Sequence, residues 1–227
     1  MWPAGEVRDK MEAVETIEYK GHEIKIHYDE TPLNPCEDRD MLSTMVCSHS
    51  RYNLGHVQVN NGMDGWYAHL AGEYDLVHES DWYPEEHGKV EYNDYVAKWI
   101  DENLVVLPLY LYDHSGITIR TAPFSCPWDS GQVGFVYVHK DKAKQEYGWK
   151  RMTTARARKV SEIMKSEVGV YDHYLTGSVY GYVVEGKHCK DSCWGYYGYG
   201  EGTDWDYMIQ CAKDNIDATL KAVIEDE

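Results

Sequence analysis

Apolar and polar positions alternate on both sides of Gly21: Ile17 and Tyr19 precede it, and Ile24, Ile26 and Tyr28 follow. A period of two around a glycine predicts a β-hairpin. A second hairpin is expected from Gly177–Val184 and Cys189–Tyr197, turning at Glu185-Gly186. Met41–Cys47, Ile117–Thr121 and Val133–Val138 read as further short strands. Val105–Tyr112 is apolar throughout, which predicts a buried strand, and Pro108 inside it requires an edge position or a bulge.

Elsewhere the period lengthens to that of a helix. Tyr92, Tyr95/Val96 and Trp99/Ile100 share a face over 93–103, and Val160, Ile163/Met164, Val168 and Tyr171 share one over 154–171. A shorter helix is expected at 141–147. The C-terminal pattern is the clearest. Trp205, Met208/Ile209, Ala212, Ile216, Leu220 and Val223 hold one face, with Thr203 or Asp204 as N-cap. Asp29–Asp40, with Pro32 and Pro35, reads as a loop, and the first fifteen residues as a frayed start or a short helix. Hairpins in place of βαβ units predict an α+β fold: a single domain over 1–227, with one antiparallel sheet of two hairpins packed by about four helices.

Composition narrows the function classes. A chain of 227 residues with 43% apolar content can bury a core. Mean hydropathy is −0.62, and no apolar run approaches the ~18 residues of a membrane span. No secretory apolar segment occupies the first fifteen residues, so the six cysteines read as reduced thiols and the compartment as cytoplasmic. A net charge of −17 disfavours direct binding to nucleic acid or to an anionic membrane. That charge is uneven. Residues 71–104 carry ten Asp/Glu against two Lys, whereas 140–165 carry nine Lys/Arg against three Asp/Glu. Arg156, Arg158 and Lys159 form either an anion-binding strip or a solvated face paired internally. Twenty Tyr and eight Trp against two Phe suit either a core of amphipathic rings or a contact surface.

Few residues carry recognisable chemistry. His22-Glu23…His27 is one residue too long for a zinc-protease helix, and on a strand the two histidines face opposite sides. His188, Cys189 and Cys193 are compact soft ligands without a fourth partner nearby, so no metal site is assigned, and no motif specifies a cofactor. The most suggestive loops are Asp113-His114-Ser115-Gly116 and 123–131, which flank one predicted strand. Were they to meet, Cys126, His114 and Asp113 or Asp129 would supply a thiol nucleophile, a base and an orienting carboxylate. The alternative is ordinary turn chemistry, with Pro127 holding Cys126 extended and Trp128 plugging the core. His49, Arg51, Tyr52 and Asn53 are either a polar recognition loop or a capped turn ending at Gly55.

Several longer motifs resemble a family of uncharacterised proteins encoded mainly by bacteriophages, prophages and other mobile elements. They are Asp29-Glu30…Pro35, Thr44-Met45-Val46-Cys47-x-His49-x-x-Tyr52-Asn53-Leu54-Gly55, LPLYLYDHSG at 107–116, PFSCPWDSGQVG at 123–134, YLTGSVYGY at 174–182 and DSCWG at 191–195. The resemblance covers most of the chain. It departs at 56–95, which reads as a family-variable acidic insertion, and at Cys36-Glu37-Asp38, where the family pattern leads one to expect an arginine. The resemblance implies genomic context and no activity.

Two functions are therefore expected, from different classes. The first is a non-enzymatic accessory protein that binds and inhibits a host protein or protein–nucleic acid complex, such as a defence nuclease, in the anti-CRISPR or anti-restriction manner. Acidic mimicry of DNA would place its contact at Glu73, Asp75, Glu79, Asp81, Glu85, Glu86, Glu91 and Asp94, because rows of carboxylates imitate phosphates. The second is a small enzyme or ligand-binding protein that uses the loops at 113–116 and 123–131.

Overall fold

The computed structural model describes residues 12–77 and 91–225. It is an α+β protein, but the expected sheet is divided in two. Each sheet belongs to its own compact unit: residues 1–33 with 173–227, and residues 34–172.

The first unit is built from the two predicted hairpins. β1 (Glu15–Tyr19) and β2 (His22–Tyr28) turn at Lys20-Gly21, both with positive φ, and β8 (Val179–Glu185) pairs with β9 (Lys190–Tyr197). β2 and β8 then pair antiparallel, which gives the order β1-β2-β8-β9. Helix α6 (Trp205–Glu225) buries Trp205, Met208, Ala212 and Ile216 in the core that contains Ile24, Ile26, Tyr180, Tyr182 and Val184. Asp204 starts this helix: its carbonyl accepts the Met208 N–H, while its carboxylate accepts the Tyr197 N–H at 3.0 Å. On β8 a side chain at Gly181 would lie 2.3 Å from the Trp194 ring, so that glycine lets its cross-strand neighbour lie flat on the strand.

The second unit holds a five-stranded sheet, ordered β4-β3-β7-β5-β6, from β3 (Thr44–Cys47), β4 (Val57–Gln58), β5 (Leu104–Asp113), β6 (Ile117–Arg120) and β7 (Ser130–His139). β7 pairs with β3 and β5, neither its neighbour in sequence, and β3 and β4 run parallel. Pro108 is accommodated as required. The pairing of β6 begins only at Tyr110, and the β5/β7 register shifts between Leu109 and Tyr110. Of the helices, α1 (Pro35–Asp38) is a single turn inside the expected loop, capped by Asn34, whose side chain accepts the Cys36 N–H. α2 (Met63–Glu73) and β4 lie in the stretch expected to be an insertion, yet Trp66 and Leu70 pack with Val46, Leu104 and Tyr137 in the core. α3 (Tyr92–Asn103) and α4 (Lys140–Glu146) stand where helices are expected. α5 (Thr154–Leu175) buries the predicted stripe of Val160, Met164, Val168 and Tyr171. Its carboxylates also tie down backbone. Glu167 accepts the N–H groups of Leu42 and Ser43, and Asp172 accepts that of Ile119 at 2.7 Å.

Candidate functional site: three loops at one end of the five-stranded sheet

Antiparallel pairing brings the C-terminal ends of β3 and β5 and the N-terminal end of β7 to one edge of the sheet. Three loops therefore converge: 48–55 after β3, 114–116 after β5, and 121–129 before β7. They are fastened through the backbone. Ser48 N–H donates to Val133 O at 2.7 Å, and Asp113 N–H donates to Asp129 O at 2.8 Å. Two glycines of the family-like motifs have backbone reasons here. Gly55 sits at φ 72°, where a Cβ would lie 2.8 Å from Met45 O, and a Cβ on Gly134 would lie 2.0 Å from Val46 O.

The three groups of residues singled out in the sequence meet at this edge. Arg51 donates to the Asp113 carboxylate at 2.5 Å, and the Tyr52 hydroxyl donates to its other oxygen at 3.4 Å. The Cys126 thiol donates to Asp129 Oδ2 at 3.6 Å, and the His114 Nδ1 atom lies 3.3 Å from that same oxygen. His49 works locally. Its Nδ1 accepts the backbone N–H groups of Arg51 and Tyr52, both at 3.2 Å, and its ring stacks on Tyr52 at 5.0 Å. Asn53 is exposed at the rim.

The order of groups matters for chemistry. A thiol is activated by an imidazole in contact with its sulfur, with a carboxylate behind the imidazole. Here the carboxylate stands between them: thiol, Asp129, imidazole. The arrangement fastens loop to loop; it does not place His114 to take the Cys126 proton. Arg51 is 67% exposed, so its ion pair with Asp113 contributes about 0–1 kcal/mol.

The turn-chemistry reading of this loop placed Trp128 in the core, and the structure overturns that placement. Trp128 is 91% exposed. The loop beneath it is closed, because the Ser130 hydroxyl donates to Cys126 O and the Cys126 thiol bonds Asp129. Sequence reasoning also passed over a stack of planar groups beside it. The Arg120 guanidinium lies 3.8 Å above Phe124, Phe124 stacks on Tyr112 at 5.5 Å, and Tyr112 stacks on His114 at 6.0 Å. The alternation of Tyr110 and Tyr112 along β5 is the only sequence signal for it.

The acidic contact residues lie elsewhere. Glu73 ends α2, Asp75 follows it at φ 50°, Glu91 precedes α3, and Asp94 sits in the first turn of α3, where a negative charge favours the helix. All four are exposed. Glu79, Asp81, Glu85 and Glu86 lie outside the described residues. The basic segment is partly engaged in structure. Lys140 donates to the carbonyls of Asp101 and Glu102 at the end of α3, and Lys142 to those of Met41 and Leu42. Arg156 lies over Trp149, and Lys159 over Tyr147. Cys189 is buried and accepts from Thr219 Oγ1 at 3.7 Å, whereas His188 and Cys193 are exposed. Among the described residues no group of three His, Cys, Asp or Glu could hold a metal, and no helix is long and apolar enough to cross a membrane. The Cys36 and Cys47 thiols are pushed up to about 12 by burial, which leaves both protonated and unreactive at neutral pH.

Comparison of the chain with protein-family models, curated proteins and solved structures finds no match in any of the three.

Proposed function

We propose that this protein acts by binding, as an accessory protein of a mobile genetic element that engages and inhibits a host macromolecule, and that its contact surface is the three-loop edge around Trp128. The observation that carries this reading is a tryptophan 91% exposed on a loop tied at both sides. Tryptophan is enriched among the residues that dominate binding energy, and a pre-ordered loop loses little entropy on association. The thiol–carboxylate–imidazole order supports binding over thiol catalysis. The family resemblance supports a mobile-element context.

A second surface has its own support. Glu73, Asp75, Glu91 and Asp94 are exposed carboxylates, the groups that a basic partner would meet. The test is capture of a host protein from lysate by wild type, by Trp128→Ala and by a variant with the four carboxylates neutralised, at low and high salt. Loss of about thirtyfold or more in affinity in Trp128→Ala, with an unchanged melting temperature, is expected for a central anchor. A partner that Trp128→Ala retains, and that both salt and the neutralised variant release, would move the contact to the acidic helices. Cys126→Ser keeps a donor to Asp129 and is expected to bind as wild type does.

A further inference from the structure

The face of the five-stranded sheet beside α2 carries a groove of about 560 Å³. That volume lies within the ~300–1,000 Å³ of small-molecule sites. Its floor is the sheet, with Phe135 and Tyr110 half-buried, and its wall is α2 and the segment before it, with Trp66 and Val59. Two polar side chains, Ser48 and Gln132, complete it. Trp66 is 2% exposed and stacks on Phe135 at 5.1 Å with 24° between the rings, so the aromatic floor is rigid.

Three further observations point to what the groove accepts. Among the described residues no Asp, Glu, Lys, Arg or His lines it, although at the chain's 27% of charged residues twelve lining residues would carry about three. A charged ligand would have no counter-charge there and would lose its hydration. The irregularity where Leu109 pairs with Gly134 but Tyr110 pairs with Gln132 inserts Val133 as an extra residue, and it falls within the groove. Such bulges recur beside ligand sites because they re-aim side chains. Pro108, also in the wall, is rigid and has no N–H to satisfy.

We infer that this groove is a binding site for an uncharged, flat aromatic or heteroaromatic small molecule, stacked against the Phe135 and Tyr110 rings and hydrogen-bonded at one end by Gln132 and Ser48. It is a second site, distinct from the Trp128 surface, and stands whether or not that surface binds a partner. The Ser48 hydroxyl already accepts the Gly62 N–H at 3.3 Å, so its proton is the one directed to a ligand. The Gln132 amide donates to Gly134 O at 3.4 Å, which leaves its carbonyl oxygen as an acceptor.

The full chain can be titrated with naphthol as the uncharged probe and naphthalenesulfonate as its anionic counterpart, read by saturation-transfer NMR on the ligand. Saturable naphthol binding is expected, with the sulfonate weaker by about tenfold or more. Val59→Trp fills the groove and should abolish the signal. Gln132→Ala, at an exposed position that leaves the fold intact, should weaken naphthol by about threefold to tenfold. Absence of saturable binding would overturn the proposal. So would equal affinity for the two probes, or naphthol binding unchanged in Gln132→Ala together with a folded Val59→Trp. If Val59→Trp fails to fold, the charge selectivity and Gln132→Ala decide alone.

Discussion

In the unit built on β1, β2, β8 and β9, side-chain carboxylates turn back onto their own framework. Asp191 accepts from the Tyr182 hydroxyl at 2.9 Å and from Asn215 at 2.6 Å, and Asp217 accepts from Lys20 at 2.6 Å and from Tyr19. In the five-stranded unit Glu167 and Asp172 do the same from α5, but Asp113 and Asp129 stand at the ends of strands and fasten one loop to another. The difference follows from topology. Sequential hairpins are joined by short turns, so polar groups are left on strand and helix faces. In the five-stranded unit β7 pairs with β3 and β5, neither its neighbour in sequence, and the loops 48–55 and 121–129 beside these pairings hold Arg51, Tyr52, Cys126 and Asp129.

Backbone contacts test this contrast most severely. Gly134→Ala puts a Cβ against Val46 O on a neighbouring strand, where neither backbone can retreat, and is expected to cost about 1–3 kcal/mol or more. Gly21→Ala in the β1–β2 turn meets nothing within 4 Å and costs only the positive-φ penalty, about 1 kcal/mol. Chemical denaturation of both variants gives the two values. Equal losses would remove the claim that β3 and β7 need a bare backbone.

Side-chain polar groups should differ in the same sense but by less. Tyr182→Phe removes the hydroxyl of a buried ring from the half-buried Asp191, which keeps its bond from Asn215, and should cost about 0.5–1.5 kcal/mol. Arg51→Ala removes an exposed pair and should cost about 0–1 kcal/mol. If Arg51→Ala proves the more damaging, the loop edge contributes to folding and not only to recognition.

The smallest effect is one of pH. His56 is half-buried, and its Nδ1 accepts the Met45 N–H at 3.0 Å, a bond that only the neutral ring can make. Burial, with Lys142 nearby, lowers its pKa below the usual 6.5. The unfolded chain therefore binds a proton at His56 more readily than the folded one. Its contribution is complete above pH 6.5 and declines as the pH falls below that value toward the lowered folded pKa. His27 and His69, also lowered by burial, act in the same direction. His56→Asn keeps an acceptor for Met45 and removes the titration. Melting temperatures between pH 7.5 and 5.5 should fall less steeply for it than for wild type.

Local patterns along the chain were enough to reveal both hairpins, the helices at 93–103, 141–147, 154–171 and 205 onward, and the need for an edge position or a bulge at Pro108. Each depends on residues close in sequence whose period or dihedral preference is set by the backbone itself. α2 escaped because Gly62, Gly65 and Gly72 interrupt a window rich in polar residues, and its helix is held by Trp66 and Leu70 meeting distant strands. The candidate residues Cys126, His114, Asp113, Arg51 and Tyr52 were visible as residue types. Their meeting was not, because it depends on β3, β5 and β7 ending at one edge. The exposure of Trp128 and the uncharged groove likewise arise only once strands from opposite ends of the unit pair. Local sequence sets φ, ψ and period over a few residues, whereas a site assembled from strands tens of residues apart is decided by which pairing buries the most apolar surface.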